Sequence, residues 1–442
     1  MSLHTIGSDA RYILPASYDS VPEAFRSNKS AKPIPCSLQT VNLPSLSGDQ
    51  VLGGSSIIQV PCGASAGYMA NPYIRFTVQL TGPKAGLKKN GSYNFKGTSK
   101  AATACLNRYS TFVNSQQVDN LQNAWALYDL LFAHSTSRPW LDNDGALMVQ
   151  AGVVNTITAD PTRGVDNVPA VHVCMPLLGL LGSQSALPLF LINGTLQIQL
   201  DWQSNIAAVV KGDANCVLTG MNISNIQLVY DKISCEQAFV DSVRADMMKG
   251  NKFVFGYTNY QLTSLANAAG GQATFNYGLN VSSLRGIVMT QYATGGLTTQ
   301  ATALDSFGNG LTNFQVSLDG RQISNVSHNI TTQPAVSFAE LQKCMGRLFD
   351  ASISEQSGAL SFPAIGDLDD VVTLSALQPY VATRFAIGAS AQRINEGLAF
   401  SGTPCSVASI QYNIAGASTC FLNFISDQQL LVTADGSVEL VR

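Results

Sequence analysis

The chain has 442 residues, a length that suits two domains of roughly 200 residues better than one. Hydrophobic residues make up 45% of it and charged residues only 12%, about half of the roughly 25% usual in soluble domains. The formal net charge is −3 and lysines and arginines are scattered, which argues against direct nucleic-acid binding.

Polarity comes instead from Ser, Thr, Asn and Gln. A surface poor in charge repels its neighbours weakly and is cheap to desolvate. It suits a protein destined to be covered by copies of itself, and equally an abundant β protein with no particular partner.

Residues 1–48 hold few periodic segments and several prolines, and read either as an extended arm that wraps something or as a disordered tail. From residue 51 the pattern is β, with strands expected at 56–61, 73–80, 170–175, 187–192, 194–202 and 222–230. Turn signals such as Gly53-Gly54, Asn90-Gly91 and Asn193-Gly194 separate them. One helix is expected over 118–134, where Leu121, Trp125, Tyr128 and Phe132 recur at helical spacing.

The most apolar stretch, PLLGLLGSQSALPLFLINGTLQIQLDW (176–202), raises the question of a membrane span. Ser183, Gln184 and Ser185 interrupt it, and Pro176 and Pro188 flank the break. Beyond Gly194, Leu196, Ile198 and Leu200 alternate with Gln197, Gln199 and Asp201, which is the period of a half-buried strand. The stretch is therefore expected to stay out of the membrane. The opening residues also lack the basic start and apolar run of a signal peptide.

A linking helix is expected over 233–251. Ser234 and Gln237 have capping-box spacing, Phe239, Val243 and Met247 form a stripe, and Gly250 can end it. Strands then resume at 252–262, 273–280, 284–292, 312–318, 382–387, 407–413, 420–425 and 429–433, with a further one at 437–441. A helix over 337–350 interrupts them, Ser337 and Glu340 forming its capping box. Helices this few leave a parallel sheet uncovered, so the expected fold class is all-β. The architecture follows: two consecutive antiparallel eight-stranded jelly rolls at 49–232 and 252–442, an N-terminal arm at 1–48 and the linking helix between the rolls.

The usual chemistry does not assemble. His4, His134, His172 and His328 are far apart and show no ligand spacing. Asp142, Asp144 and Gly145 faintly resemble a calcium loop but lack the twelfth-position carboxylate, and read as a polar turn. Asp367, Asp369 and Asp370 read as a solvated loop, as does the group Lys84, Lys88, Lys89, Lys96 and Lys100; a cation for the first and a phosphate for the second are the sharper alternatives. Trp125, Trp140 and Trp202 are expected in core or rim packing rather than stacked on a sugar.

Nine cysteines, Cys36, Cys62, Cys105, Cys174, Cys216, Cys235, Cys344, Cys405 and Cys420, form an odd set without a CxxC pair, and are read as free thiols in a reducing compartment. No catalytic, cofactor-binding or metal-binding residue is assigned, and no enzyme activity is expected. The rival reading, a carbohydrate-binding or carbohydrate-cleaving β-sandwich, requires exposed tryptophans in a groove and a close carboxylate pair.

The stretch 176–202, the helix SCEQAFVDSVRADMMKG and the closing block from RFAIGASAQ to the C-terminus together resemble the double jelly-roll major capsid proteins, the lineage of adenovirus hexon and the tailless phages with related shells. Size and layout are most similar to the capsid proteins of polinton-like viruses, adintoviruses and virophages. The resemblance covers about 50 to 442. It implies a homotrimer whose two rolls per chain make a pseudo-hexagonal capsomer, tiling an icosahedral shell around double-stranded DNA. Its implied partners are copies of itself, penton and minor or cement capsid proteins, and its place is the virion, after assembly in the host cytoplasm or nucleus.

Overall fold

The computed structural model describes residues 36–441 apart from 84–86, 88–90, 135–139, 158–167, 185, 268–270, 282, 303, 305–312, 323–385 (Ala339 excepted), 391–397, 400–404 and 415–416, together with the short strands His4–Thr5 and Ile13–Leu14. Among these residues all strand pairing is antiparallel.

Eight strands form the two main sheets of the first half, beside a few shorter ones: β1 (Cys36–Pro44), β2 (Ser55–Pro61), β3 (Tyr68–Thr81), β4 (Leu106–Val113), β5 (Gln116–Gln122), β6 (Val171–Pro176), β7 (Thr195–Trp202) and β8 (Gly220–Cys235). They pair as β6-β3-β8-β1 in one sheet and β2-β7-β4-β5 in the other. The second half repeats the plan with β9 (Phe253–Asn267), β10 (Gly271–Val281), β11 (Ser283–Tyr292), β12 (Asn313–Leu318), β13 (Arg321–Gln322), β14 (Ala386–Ser390), β15 (Cys405–Ile414) and β16 (Ser418–Val432). Its sheets run β9-β16-β11-β14 and β10-β15-β12-β13. Counted within each half, both orders are 1-8-3-6 and 2-7-4-5, so the chain is two consecutive jelly rolls of one topology. Helix α1 (Ala124–His134) interrupts the first roll, and α2 (Gln237–Met248) joins the two.

Burial explains the strand patterns. In β7 the side chains alternate, Leu196, Ile198, Leu200 and Trp202 being buried and Gln197, Gln199 and Asp201 half-buried, as a strand with one face on a core requires. Strands β11 and β16 are buried on both faces. Ile287, Met289, Cys420, Leu422 and Phe424 fill the second roll's own core, while Val288, Tyr292, Phe421 and Ile425 belong to the cluster that fills the first roll. The larger sheet of the second roll is therefore sandwiched between its own partner sheet and the first roll.

Several sequence expectations need correction. Strand β1 lies inside the segment expected to be an arm, and its register with β8 runs from Pro44↔Gln227 to Cys36↔Cys235. Strand β4 was not expected at all, because Asn107, Arg108 and Ser110 interrupt its apolar residues. The helix expected over 118–134 begins only at Ala124; residues 119–122 pair with β4, and Val118 is the extra residue of a bulge opposite Thr111 and Phe112.

The strand expected at 187–192 stops at Pro188, where the chain turns into the 3-10 segment Leu189–Leu191. The strands expected at 420–425 and 429–433 are the single strand β16, since burial on both faces replaces alternation with a continuous apolar run. The strand expected at 382–387 is described over Ala386–Ser390. Ser234 sits in β8 rather than capping α2, whose N-cap Glu236 makes no side-chain cap bond. The expected helix 337–350 lies outside the described residues except for Ala339. No helix among the described residues is long and apolar enough to cross a membrane.

Candidate functional site

The residues singled out for possible chemistry do not converge. His172 lies in β6 with Nδ1 3.0 Å from the Thr77 hydroxyl, and His134 closes α1. Asp142, Asp144 and Gly145, expected as a polar turn, form the π-helical turn Leu141–Gly145. No group of three or more metal-ligating side chains occurs among the described residues. Asp367, Asp369, Asp370, His328, Lys84, Lys88 and Lys89 lie outside them.

Trp125 packs against Tyr292 and Phe421, Trp202 against Phe76, and Trp140 stacks on Phe132. Trp125 and Trp202 are buried, so neither is exposed to a sugar. Lys96 contradicts the solvated-loop expectation. It is buried, and its Nζ donates to the Gly296 and Thr299 carbonyls, the latter at 2.7 Å. Burial, with Lys211 nearby, lowers its pKa to about 8.

What the described residues do bring together is a joint between the rolls. Its centre is Asp129 on α1, whose carboxyl accepts from the Thr98 amide (3.0 Å), the Ser99 amide and hydroxyl (2.7 Å each) and the Tyr292 hydroxyl of the second roll (2.6 Å). Four donors satisfy a buried acid that has no cation beside it in these bonds.

Further bonds cross the joint. Tyr257 Oη donates to Val118 O (3.4 Å), Gln184 Nε2 to Gly256 O (2.6 Å) and Asn114 Nδ2 to Gly436 O (2.9 Å). Within the second roll Tyr257 Oη also faces Gln428 Oε1 (2.9 Å), and from the linking helix Arg244 Nη2 donates to Phe190 O (2.7 Å). The aromatic cluster of Trp125, Tyr292 and Phe421 supplies the apolar part. Sequence reading missed Asp129, Lys96 and Tyr292 as a set, because nothing in one dimension brings residues more than 150 positions apart to one place.

A cleft of about 490 Å³ opens where β5 meets β9 and β10, lined by the amides of Gln117, Asn120, Gln122, Asn259, Gln261 and Gln428 beside Tyr260 and Tyr277. Beneath it, Asp119 is enclosed at the bulge of β5. Its Oδ2 accepts from the Leu180 amide at 3.2 Å and its Oδ1 has no partner among the described residues. Burial pushes its carboxyl up from the ordinary carboxylate range to about 7. Gly179, at φ +65°, faces that carboxyl, and a methyl group there would overlap it.

Part of the exposed apolar surface lies at the first roll's open edge, the rest including Leu147 and Met248 elsewhere. Among the described residues strand β1 pairs with β8 alone, and its first five residues are exposed on both faces, Leu38 to 69%. Leu46 and Val51, just beyond it, are exposed as well. Free backbone groups along an uncharged strand are a template for pairing with another chain.

Solved structures share this architecture. The chain is similar to PBCV-1 VP54, as fitted into a cryo-electron-microscopy reconstruction of the virophage Sputnik, with 11% identity and a TM-score of 0.59 over 95% of this chain and 99% of that one. It is similar to a chain of the Sputnik virophage particle (12% identity, TM-score 0.52, covering 91% and 88%) and to the Faustovirus major capsid protein (9%, 0.52, covering 94% and 92%). No protein-family model and no curated protein matches the sequence. At such identities the likeness is one of fold, and that fold is the double jelly roll of viral major capsid proteins.

Proposed function

We propose that the protein is a structural major capsid protein. The observation that carries this is the repeated 1-8-3-6 and 2-7-4-5 strand order in two consecutive halves, matched along nearly the whole of a chain described in the setting of a viral capsid. Three chains of two rolls each give six similar rolls around a threefold axis, a pseudo-hexagonal unit that tiles an icosahedral shell. The genome enclosed is double-stranded DNA, and the partners are further copies together with penton and minor or cement proteins. Residues before β1 serve as the arm, the two rolls as the wall and α2 as the link.

The mechanism is association, not catalysis. Amide-rich, weakly charged flanks and the uncovered edge at β1 are cheap to desolvate and repel little when copies meet. The buried joint keeps the two rolls of one chain at a fixed angle, which a tile needs.

Size measurement with light scattering, followed by negative-stain imaging, tests the proposal. A trimer of about 140 kDa, three chains of 46.8 kDa, with a hexagonal outline is expected. A monomer that stays monomeric at high concentration overturns it.

A further inference from the structure

We infer that Cys36 and Cys235 are a redox-closable pair, a site for an intramolecular disulfide that ties the first strand of the first roll to its last. The two face each other as the final partners of the β1–β8 ladder.

The ladder fixes which kind of pair they are. One step beyond Pro44↔Gln227, the Ser45 amide donates to Ile226 O at 2.8 Å, so Ser45 and Ile226 are a hydrogen-bonded pair. Antiparallel pairs alternate between hydrogen-bonded and non-hydrogen-bonded. Counting down the strand makes Pro44, Asn42, Thr40, Leu38 and Cys36 non-hydrogen-bonded positions. Pro44 agrees, since a residue without an N–H costs the ladder nothing there.

Non-hydrogen-bonded partners have Cα atoms about 4.5 Å apart, inside the roughly 4.4–6.8 Å range that a disulfide spans. Thr40 and Asp231, two pairs along on the same face, already meet, the hydroxyl donating to Oδ1 at 3.0 Å. Side chains of this row therefore reach one another.

Access and chemistry are suited to exchange. Cys36 is exposed, Cys235 is half-buried, and both thiols are free. Burial first, and the neighbouring Cys36 second, raise the Cys235 thiol. Elsewhere, Cys105, Cys216 and Cys420 are buried, and burial pushes Cys62 up to about 11 and Cys216 to about 12.

With an oxidised low-molecular-weight thiol such as glutathione disulfide, the exposed Cys36 thiolate attacks one sulfur and expels one glutathione thiolate. The Cys235 thiolate then attacks the Cys36 sulfur of the mixed disulfide and expels the second. Two protein thiols are oxidised, one glutathione disulfide is reduced to two thiols, and the two protons released are taken up by the leaving thiolates.

The bond would close a loop of about 200 residues and fasten β1 at its exposed end. A strand with exposed faces that pairs on one side only among the described residues is where fraying concentrates. The chain thus has an open-edged reduced form and a stapled oxidised form, selected by the thiol–disulfide balance around it. This holds whether or not the protein builds shells.

The test uses the dilute full-length protein in glutathione buffers, alkylated, digested and analysed by mass spectrometry. The oxidised sample should yield a Cys36–Cys235 linked peptide about 2 Da lighter than the two reduced peptides together. Amides of Ser37 and Gln39 should exchange at least about tenfold more slowly than after reduction. C235S should carry Cys36 as a glutathione adduct, and C36S should lose the oxidation-dependent protection while melting like the reduced wild type. A wild-type sample in which Cys36 ends as a glutathione adduct, or bonded to a second chain, while Cys235 stays a free thiol, overturns the inference.

Discussion

Replacing Asp119 by Asn should change how the first roll's stability depends on pH. Asp119 is 1% exposed, and burial holds its carboxyl near 7 against an ordinary 3.8. Because the folded value is the higher one, the native chain holds more protons than the unfolded chain between those values. Stability is then highest below about pH 4 and falls as pH rises towards 7. A shift of this size corresponds to about 4 kcal/mol in full, of which roughly 2.5 kcal/mol falls between pH 5 and pH 8.

D119N keeps the shape and removes the titration. Its amide hydrogens add a cost that does not vary with pH, so the slope carries the test and the offset does not. All three tryptophans lie in the first roll, and their fluorescence reports its melting. At about 2–4 °C per kcal/mol for a unit of this length, the wild type should lose roughly 5–10 °C more than D119N between the two pH values. Parallel slopes in the two proteins would refute the assignment of a raised carboxyl to this site.

Y292F should cost about 1.5–3 kcal/mol by removing one donor from the Asp129 carboxyl, and the cycle with D129N should show strong coupling; independent effects within 0.5 kcal/mol would sink the joint as described. N423L should stabilise the protein by about 1–3 kcal/mol, because both amide atoms of the fully buried Asn423 have no partner among the described residues; a loss in urea midpoint contradicts this. G179A should destabilise by at least about 3 kcal/mol, from left-handed strain plus overlap with Asp119, and thermal melting within 2 °C of wild type would disprove the contact. L38D should leave the melting curve of the isolated chain within about 0.5 kcal/mol of wild type while abolishing assembly beyond the capsomer in light scattering; unchanged assembly removes β1 from the proposed interface.

The all-β class, the two-roll plan and the apolar core were legible in the sequence wherever one face of a strand was buried and the other was not. Thr195–Trp202 shows this best, since a period of two in its side chains has no other common cause. The stretch 176–202 likewise declared itself a broken, strand-ending segment rather than a spanning one.

Tertiary structure alone decided the rest. Ser418–Val432 became one strand because the first roll covers its second face, and no local pattern announces a second cover. Residues 118–122 kept helical spacing yet joined a sheet, since pairing with β4 outweighed local preference. Lys96 read as solvated from a Gly-rich neighbourhood, but the carbonyls that hold it belong to residues some 200 positions away. Cys36 and Cys235 are unremarkable in one dimension, and only a register fixed by eight successive pairs sets them face to face. Sequence records what each residue does to its immediate neighbours, while contacts across sheets and between rolls depend on which segments the whole chain finally lays side by side.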